Sequence, residues 1–452
     1  MAITQALAEF VMNIKYESIP EEAVNIAKKS ICDFFAVAIA GKELEGPRIL
    51  KEYILEQGGA FDCSVPGHGF KTSAPFSALL SGTMGHVLDY DDVAYTMRGH
   101  PSVVIVPVIW ALGDKYNISG KQAIEAFMAG FEGITHIVNY TMPDRANADS
   151  WHSTKQLGVF CATITAAKIL DLTQDQIRTA LSFAGTMSGG LRQNFGTMTK
   201  SFHAGSAAHD GIMAAILAKK GFSADMNIFE AEYGFRSAFH AGEPLDEEAV
   251  LEMMKEDNWD IISSGGITIK MCPACGGTHK GMNAVLELVK RENIQPEDVE
   301  SITIELQDYI LNNLFIHEPE TGLEGKFSME FVAAAALKDR KAGVAQFTDE
   351  KVAELKPLME KVFLKTAVKH EPFVDNTATA EIKMKDGRVF TNTVKHHRGH
   401  AKNPLTWEEL LEKYEDCVSL YFSKEDVAES SELLRNLEQL GQFKTLVRIL
   451  AK

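Results

Sequence analysis

Four stretches of this 452-residue chain carry ionisable side chains at spacings suited to proton transfer. The first runs Gly85-His86-Val87-Leu88-Asp89-Tyr90-Asp91-Asp92 and continues into Arg98-Gly99-His100-Pro101-Ser102. An apolar run resumes at Val103, so three carboxylates and an Arg-Gly-His loop fall near the interior, where ionisable groups are costly unless paired or used. The plainer reading of the same residues is a cap network, with Asp side chains holding backbone N–H groups. His152, in Trp151-His152-Ser153-Thr154, stands ahead of an Ala- and Thr-rich helix predicted over 158–170. A helix N-terminus welcomes an anion and tends to keep a histidine neutral, as a general base requires; such a lone histidine would equally serve as a cap.

The third stretch, from Gly189 to His203, is a glycine-flanked loop that carries Arg192, Lys200 and His203 into an Ala/Gly-rich helix. Flexible backbone, cationic side chains and a helix start together suit an anion pocket. The fourth runs from Ile267 to His279 and holds Lys270, Cys272, Cys275 and His279. A zinc site there needs a fourth ligand at compatible spacing, and there is no second Cys pair; a redox pair lacks the βαβ context that would support it. No GxGxxG follows a strand, and GxxxxGK[ST], HExxH and GxSxG are absent, so hydride transfer, nucleotide hydrolysis, zinc proteolysis and α/β-hydrolase chemistry lose weight. What remains is a set of His, Lys, Arg and Asp suited to moving protons, with no cofactor and no metal.

The elements that must position these residues fall into two textures. Up to about residue 265 the pattern is helical, with capping boxes expected at Ser18/Glu21, Ser119/Gln122 and Thr173/Gln176. The small residues from Phe202 to Lys220 let helices approach closely, and Gly221 is a plausible stop. Near residue 266 the texture changes. Ile302, Ile304 and Leu306 alternate with polar residues as in a half-buried strand, and 377–394 reads as two strands joined at Asp386-Gly387. Helices are predicted at about 279–292, 327–341 and 348–366, and helix returns from Trp407 to Ala451. The fold class is mainly α with a smaller α+β domain: residues 1–266 and 402–452 form the helical domain, and 267–401 the inserted α+β domain.

Lys+Arg 45 against Asp+Glu 62 gives a net charge of −17, which repels nucleic acid and anionic membranes. Six cysteines, Cys32, Cys63, Cys161, Cys272, Cys275 and Cys417, are too sparse for a disulfide scaffold and suit a reducing cytoplasm. The apolar stretch from Ile31 to Ala40 is too short to span a bilayer and contains Asp33, so neither signal peptide nor transmembrane helix is expected.

The runs Asp89-Tyr90-Asp91-Asp92…Gly99-His100-Pro101-Ser102, Gly190-Leu191-Arg192…Asn194-Phe195-Gly196-Thr197-Met198-Thr199-Lys200…His203-Ala204-Gly205 and Lys270…Pro273…Cys275…His279 resemble those of the MmgE/PrpD family. The resemblance covers nearly the whole chain in order. It implies a large all-helical domain, an α+β lid, a homodimer, and an active site in the cleft between domain and lid. Carried over position by position, it gives Asp89, His100, His152, Lys200 and Lys270 as catalytic residues, with Cys275 and Phe331 nearby. Cys275 and Phe331 stand where the decarboxylases of the family have a histidine and a tyrosine, and Val93 where they have a threonine.

The implied chemistry is removal of a proton α to a carboxylate in a small di- or tricarboxylic acid. Arg98, Arg192, Lys200 and Lys270 would hold the carboxylates, with His203 also lining the site. His152 would take the proton, His100 or a lysine would return one, and Asp89 would orient a His or Lys partner. The first reading is a lyase, a dehydratase or decarboxylase. An epimerase of an aspartate-like dicarboxylate and a non-catalytic carboxylate-binding homologue are the alternatives.

Overall fold

The computed structural model describes residues 2–141, 150–240, 247–254, 258–367 and 376–452. It is mainly helical, with 59% helix and a small four-stranded sheet. The chain divides into two compact units, one of Met1–Val87, Asp91–Ile267 and Thr406–Lys452, the other of Leu88–Tyr90 and Thr268–Leu405.

The first unit opens with α1 (Ile3–Asn13), α2 (Glu21–Gly41), α3 (Glu45–Gln57), α4 (Ala74–His86), α5 (Ser102–Tyr116) and α6 (Gly120–Thr141), and continues with α7 (Gly158–Ile169), α8 (Gln174–Thr186) and α9 (Met198–Lys219). From Ser30 to Gly41 every residue of α2 is buried, as is every residue of α5 from Ser102 to Asp114. Helices apolar on all sides must be enclosed by others. The Ala/Gly-rich α9 packs on α4 and α7, and its small residues set the distance. A β-carbon on Gly205 would sit 2.0 Å from Leu79 O, and one on Gly82 would sit 2.8 Å from Gly205 Cα. The two backbones therefore touch, and this contact fixes the end of α4 relative to the start of α9.

The boxes expected at Ser119/Gln122 and Thr173/Gln176 both form. The one at Ser18/Glu21 does not. Pro20 takes the N-cap position of α2, and Ser18 sits in a 3-10 turn where its hydroxyl donates to Lys15 O. Helix α9 ends as its sequence predicts: Gly221 adopts φ +87 and the Phe222 N–H reaches back to Leu217 O.

In the second unit β1 (Val299–Leu306), β2 (Val362–Thr366), β3 (Ala378–Met384) and β4 (Val389–Val394) form a sheet in the order β2-β1-β3-β4. Strands β3 and β4 are the hairpin expected around Asp386-Gly387. Ile302 and Ile304 face Ile382 and Ala380 across the antiparallel pair, and this buried face is covered by α10 (His279–Arg291) and α11 (Met329–Asp339). The predicted helix over 348–366 is shorter than expected. Helix α12 (Asp349–Met359) stops two residues after Pro357, and Val362–Thr366 instead pairs in parallel with β1. Val362 and Leu364 lie opposite Ile302 and Ile304, so edge pairing decides a segment whose own periodicity is ambiguous.

The chain then returns to the first unit as α13 (Trp407–Val418), α14 (Lys424–Arg435) and α15 (Lys444–Leu450). Helix α13 packs on α2, where Lys413 Nζ lies 2.6 Å from Asp33 Oδ1 with both side chains buried. Among the described residues no helix is long and apolar enough to cross a membrane.

Candidate active site

Three loops of the helical unit are stitched together by backbone groups. The N–H of His152 donates to Gly190 O at 2.8 Å, and that of Arg192 to Ser150 O at 3.1 Å, so the 150–152 segment runs beside the glycine loop. Gly190 takes φ +91 there, and any β-carbon on it would press on Lys155. Ser153 Oγ donates to Arg98 O, and His100 N–H to Thr154 Oγ1 at 3.3 Å, which ties the Arg-Gly-His loop to the same turn. The left-handed backbone of Arg98, φ 56, is an arrangement that non-glycine residues adopt at a cost and keep only where their surroundings impose it.

These ties gather imidazoles. His152 caps the one-turn helix Ser153–Gln156, and its Nδ1 lies 3.1 Å from Nδ1 of His203 on α9. The ring of His86, the last residue of α4, stacks on His152 with centroids 5.6 Å apart, and His100 meets His86 edge-on at 4.6 Å. Phe195 from the glycine loop packs edge-on against His152 at 4.9 Å and carries Lys200 Nζ over its ring at 5.4 Å. The Arg192 guanidinium carbon lies 5.9 Å from the centre of the same ring.

The carboxylates hold this array in place. Asp91 Oδ2 lies 2.9 Å from His86 Nδ1 and 3.0 Å from His100 Nδ1. Burial pushes Asp91 up, but the two histidines and their hydrogen bonds outweigh it and hold the carboxyl well below the usual range. Asp92 accepts the N–H and hydroxyl of Ser102 at the start of α5; burial, with Asp33 and Asp91 nearby, pushes it up to about 8. Burial brings His86 down to about 4, and it brings His152 well below its ordinary value, helped by His86, Lys200 and His100. His203 is lowered by burial, Lys155 and Lys200. At neutral pH, His86, His152 and His203 are thus free bases beside ammonium groups, the state a general base needs.

In the second unit Lys270 is buried and donates to both Asp89 O and Asp89 Oδ1 at 2.8 Å. Asp89 itself holds a left-handed backbone, φ 53, which turns its carbonyl and carboxylate toward one ammonium. Cys275 is half-buried, with its N–H on Lys326 O. The Phe331 side chain is buried in the hydrophobic core of this unit, 5.3 Å from Phe347 and against Gly325.

Of the residues predicted from sequence, His100, His152, Lys200, His203 and Arg192 are brought together in the helical unit, and the backbone of Arg98 is tied to the same turn. Asp89 and Lys270 form a pair in the other unit. Sequence reasoning passed over His86 and Asp91 as site residues, although both lie in a quoted motif. The available signal was the five-residue spacing across a helix end, which lets the last helical side chain meet a carboxylate of the following turn.

His86, Asp89, Asp91 and His100 place ligand atoms within 4.8 Å of one another, as do Glu132, His136 and Asp260. In the first set both Nδ1 atoms point at one Asp91 oxygen. In the second, Glu132 accepts the N–H groups of Asp260 and Ile261 at 2.9 and 3.0 Å, and His136 Nε2 lies 3.1 Å from Asn258 O. Both sets are hydrogen-bond networks by these contacts. Cys272, Cys275 and His279 do not gather as a ligand set among the described residues.

The buried histidines have a consequence for stability. Unfolded histidines titrate near 6.5, whereas His86 and His400 are brought down to about 4 in the fold and His152 and His397 well below their ordinary value, all chiefly through burial. Folded pKa values below the unfolded ones mean that stability is full above about 6.5 and falls as pH drops toward 4. Asp92 acts in the opposite sense, since its raised pKa favours folding as pH falls from about 8. Glu132 is raised as well, but His68 and His203 are also lowered, so the lowered imidazoles outnumber the raised carboxyls. Thermal melts should therefore show a steep loss of stability between about pH 6.5 and pH 4, and a flat profile across that window would contradict the assignment of neutral buried histidines.

A buried cluster of imidazoles lowered by burial, beside fixed cations, is an arrangement suited to acid–base chemistry. The MmgE/PrpD N-terminal domain matches residues 5–248 and the MmgE/PrpD C-terminal domain residues 272–439. The chain belongs to the MmgE/PrpD family. It is 25% identical to cis-aconitate decarboxylase of Mus musculus over 99% of this chain and 93% of that protein. It is 26% identical to the enzyme of that name from Homo sapiens, covering 99% and 94%, and 24% identical to the one from Aspergillus terreus, covering 99% and 96%.

Proposed function

We propose that this chain, an enzyme of the lyase kind, acts with no cofactor on a small di- or tricarboxylic acid, either abstracting a proton α to a carboxylate and expelling water from the β-carbon, or releasing CO2 and returning a proton to the carbon it leaves. The observation that carries this reading is His152: buried and kept neutral by burial, His86 and Lys200, it sits at a helix start beside Lys200. Removing such a proton creates a dianionic enediolate, which fixed ammonium and guanidinium groups stabilise best away from water. Lys200, Arg192, Arg98 and Lys270 take the carboxylates and the developing charge, His152 takes the proton, and His100 returns one. Asp89 holds Lys270 in place. If the β-hydroxyl leaves as water, the pair freed by proton abstraction becomes the C=C bond and the reaction is a dehydration; if a carboxylate leaves as CO2 instead, the pair left on carbon takes a proton from His100 and the reaction is a decarboxylation. The names of the relatives favour the second on a cis-aconitate-like acid.

One observation favours a second reading. Cys275 stands where the decarboxylase pattern has a histidine, and a pocket altered there suits reprotonation on the opposite face, the reaction of an epimerase acting on an aspartate-like dicarboxylate. Incubation with citrate-like, aconitate-like and aspartate-like acids in D2O, followed by NMR, separates the two. An alkene product or CO2 is the expected result; deuterium at the α-carbon with neither would replace the lyase by the epimerase. The chain works as a homodimer in the cytoplasm: half-exposed Ile49 and Tyr53 on α3 and Met198 and Phe202 on α9 offer apolar surface for self-association, and six cysteines in 452 residues are too sparse for a disulfide scaffold.

A further inference from the structure

The carboxylate of Asp91 has two imidazole nitrogens on one oxygen, and neither histidine can be described without it. His100 Nδ1 lies 2.7 Å from the carbonyl oxygen of Asp92 as well as 3.0 Å from Asp91 Oδ2. A carbonyl oxygen can only accept, so Nδ1 of His100 carries the proton and Nε2 is left as the atom that gains or loses one. His86 Nδ1 faces the same ionised oxygen at 2.9 Å and is likewise the N–H donor. The His86 ring is then held flat beneath His152, 20° from parallel. The side chain of Asp91 is fully buried, so its negative charge is little screened and acts on whatever charge forms on the ring it touches.

We propose that Asp91 is a positioning residue of the acid–base machinery: its carboxylate is the counter-charge for the imidazolium that forms when His100 Nε2 holds a proton, and it pins His86 as the platform on which His152 is aligned. The inference rests on the acid–base reading above and deepens it. The Asp92 carbonyl fixes which nitrogen of His100 is free, while Asp91 supplies the charge. This divides the work between two adjacent residues, and it leaves Asp89 to Lys270. Other ionisable groups facing this pair are His86 from α4, Asp89 and Asp92 from the same loop, His152 from the 150–154 turn and Lys200 from α9.

Asp91→Asn keeps the shape and removes the charge. With an acid that the wild-type enzyme turns over, kcat should fall about 10^3-fold or more, by analogy with the buried aspartate behind the histidine of a serine-protease triad, while KM stays within about twofold because Asp91 does not touch substrate. The alkaline limb of the kcat profile should move to lower pH, and Asp91→Glu should recover part of the rate. Wild-type kcat and an unmoved profile in Asp91→Asn would overturn the proposal, as would parallel losses in kcat, KM and melting temperature that Asp91→Glu does not relieve. A second measurement needs no turnover. Nitrogen-15 spectra of histidine-labelled wild-type protein at neutral pH should show His86 and His100 as Nδ1–H tautomers; an Nε2–H tautomer for either sinks the proposal. If no acid reacts with the wild type, the lyase reading fails, and these spectra alone decide the role of Asp91.

Discussion

Replacing Lys200 by alanine should lower kcat/KM for the acid that the wild-type enzyme turns over by about 10^2- to 10^3-fold, the usual cost of removing one preorganised group that stabilises developing charge. Lys200 lies in the first turn of α9, nine-tenths buried, with its ammonium over Phe195 and close enough to lower His86, His152 and His203. It therefore has two effects that can be read separately. Loss of the cation weakens stabilisation of the enediolate, which lowers the rate at every pH. Loss of its repulsion also lets His152 take a proton more readily, so the acid limb of the kcat/KM profile should move to higher pH. A kinetic profile for Lys200→Ala that matches the wild type in height would remove Lys200 from the mechanism. One that falls without moving would leave it a charge stabiliser with no hold on His152.

How far the site could be read from the residues alone depended on whether its parts were local. The glycine loop with Arg192, Lys200 and His203 is contiguous, and its Ala/Gly-rich continuation announces the close helix packing seen at Gly82 and Gly205. The hairpin at Asp386-Gly387 is likewise written in turn chemistry. What the residues could not state was which carboxylate serves which cation. Asp89, Asp91 and Asp92 lie within four positions, yet they separate into three tasks: Asp89 takes Lys270, Asp91 takes two histidines, and Asp92 caps α5. The separation follows from the left-handed turn at Asp89, which side-chain types do not encode. Phe331, a position carried over by resemblance, has its ring among the core residues of the second unit. The strand Val362–Thr366 was hidden because a five-residue edge strand takes its identity from its partner, β1.

Lys413→Met should destabilise the protein by about 3 to 5 kcal/mol, the usual result of removing one partner of a buried ion pair. The C-terminal helix α13 reaches α2 through this pair: Lys413 Nζ lies 2.6 Å from Asp33 Oδ1, with side-chain exposures of 2% and 1%. Methionine keeps the apolar contacts of the lysine stem but takes away the charge that offsets a carboxylate lodged in an otherwise apolar helix. Such a group must then be protonated or rehydrated, and either route opens the packing between α2 and α13. Removing both charges avoids that penalty, so Asp33→Leu combined with Lys413→Met should recover most of the loss. Melting temperatures of the two single variants and the double variant make the comparison. If Lys413→Met melts with the wild type, the pair is not holding the C-terminal segment. Because Asp33 is also one of the charges that raise Asp92, at the head of the helix that follows the Arg-Gly-His loop, the same double variant should ease the rise in Asp92. The pair would then link the closure of the helical unit to the electrostatics of its site.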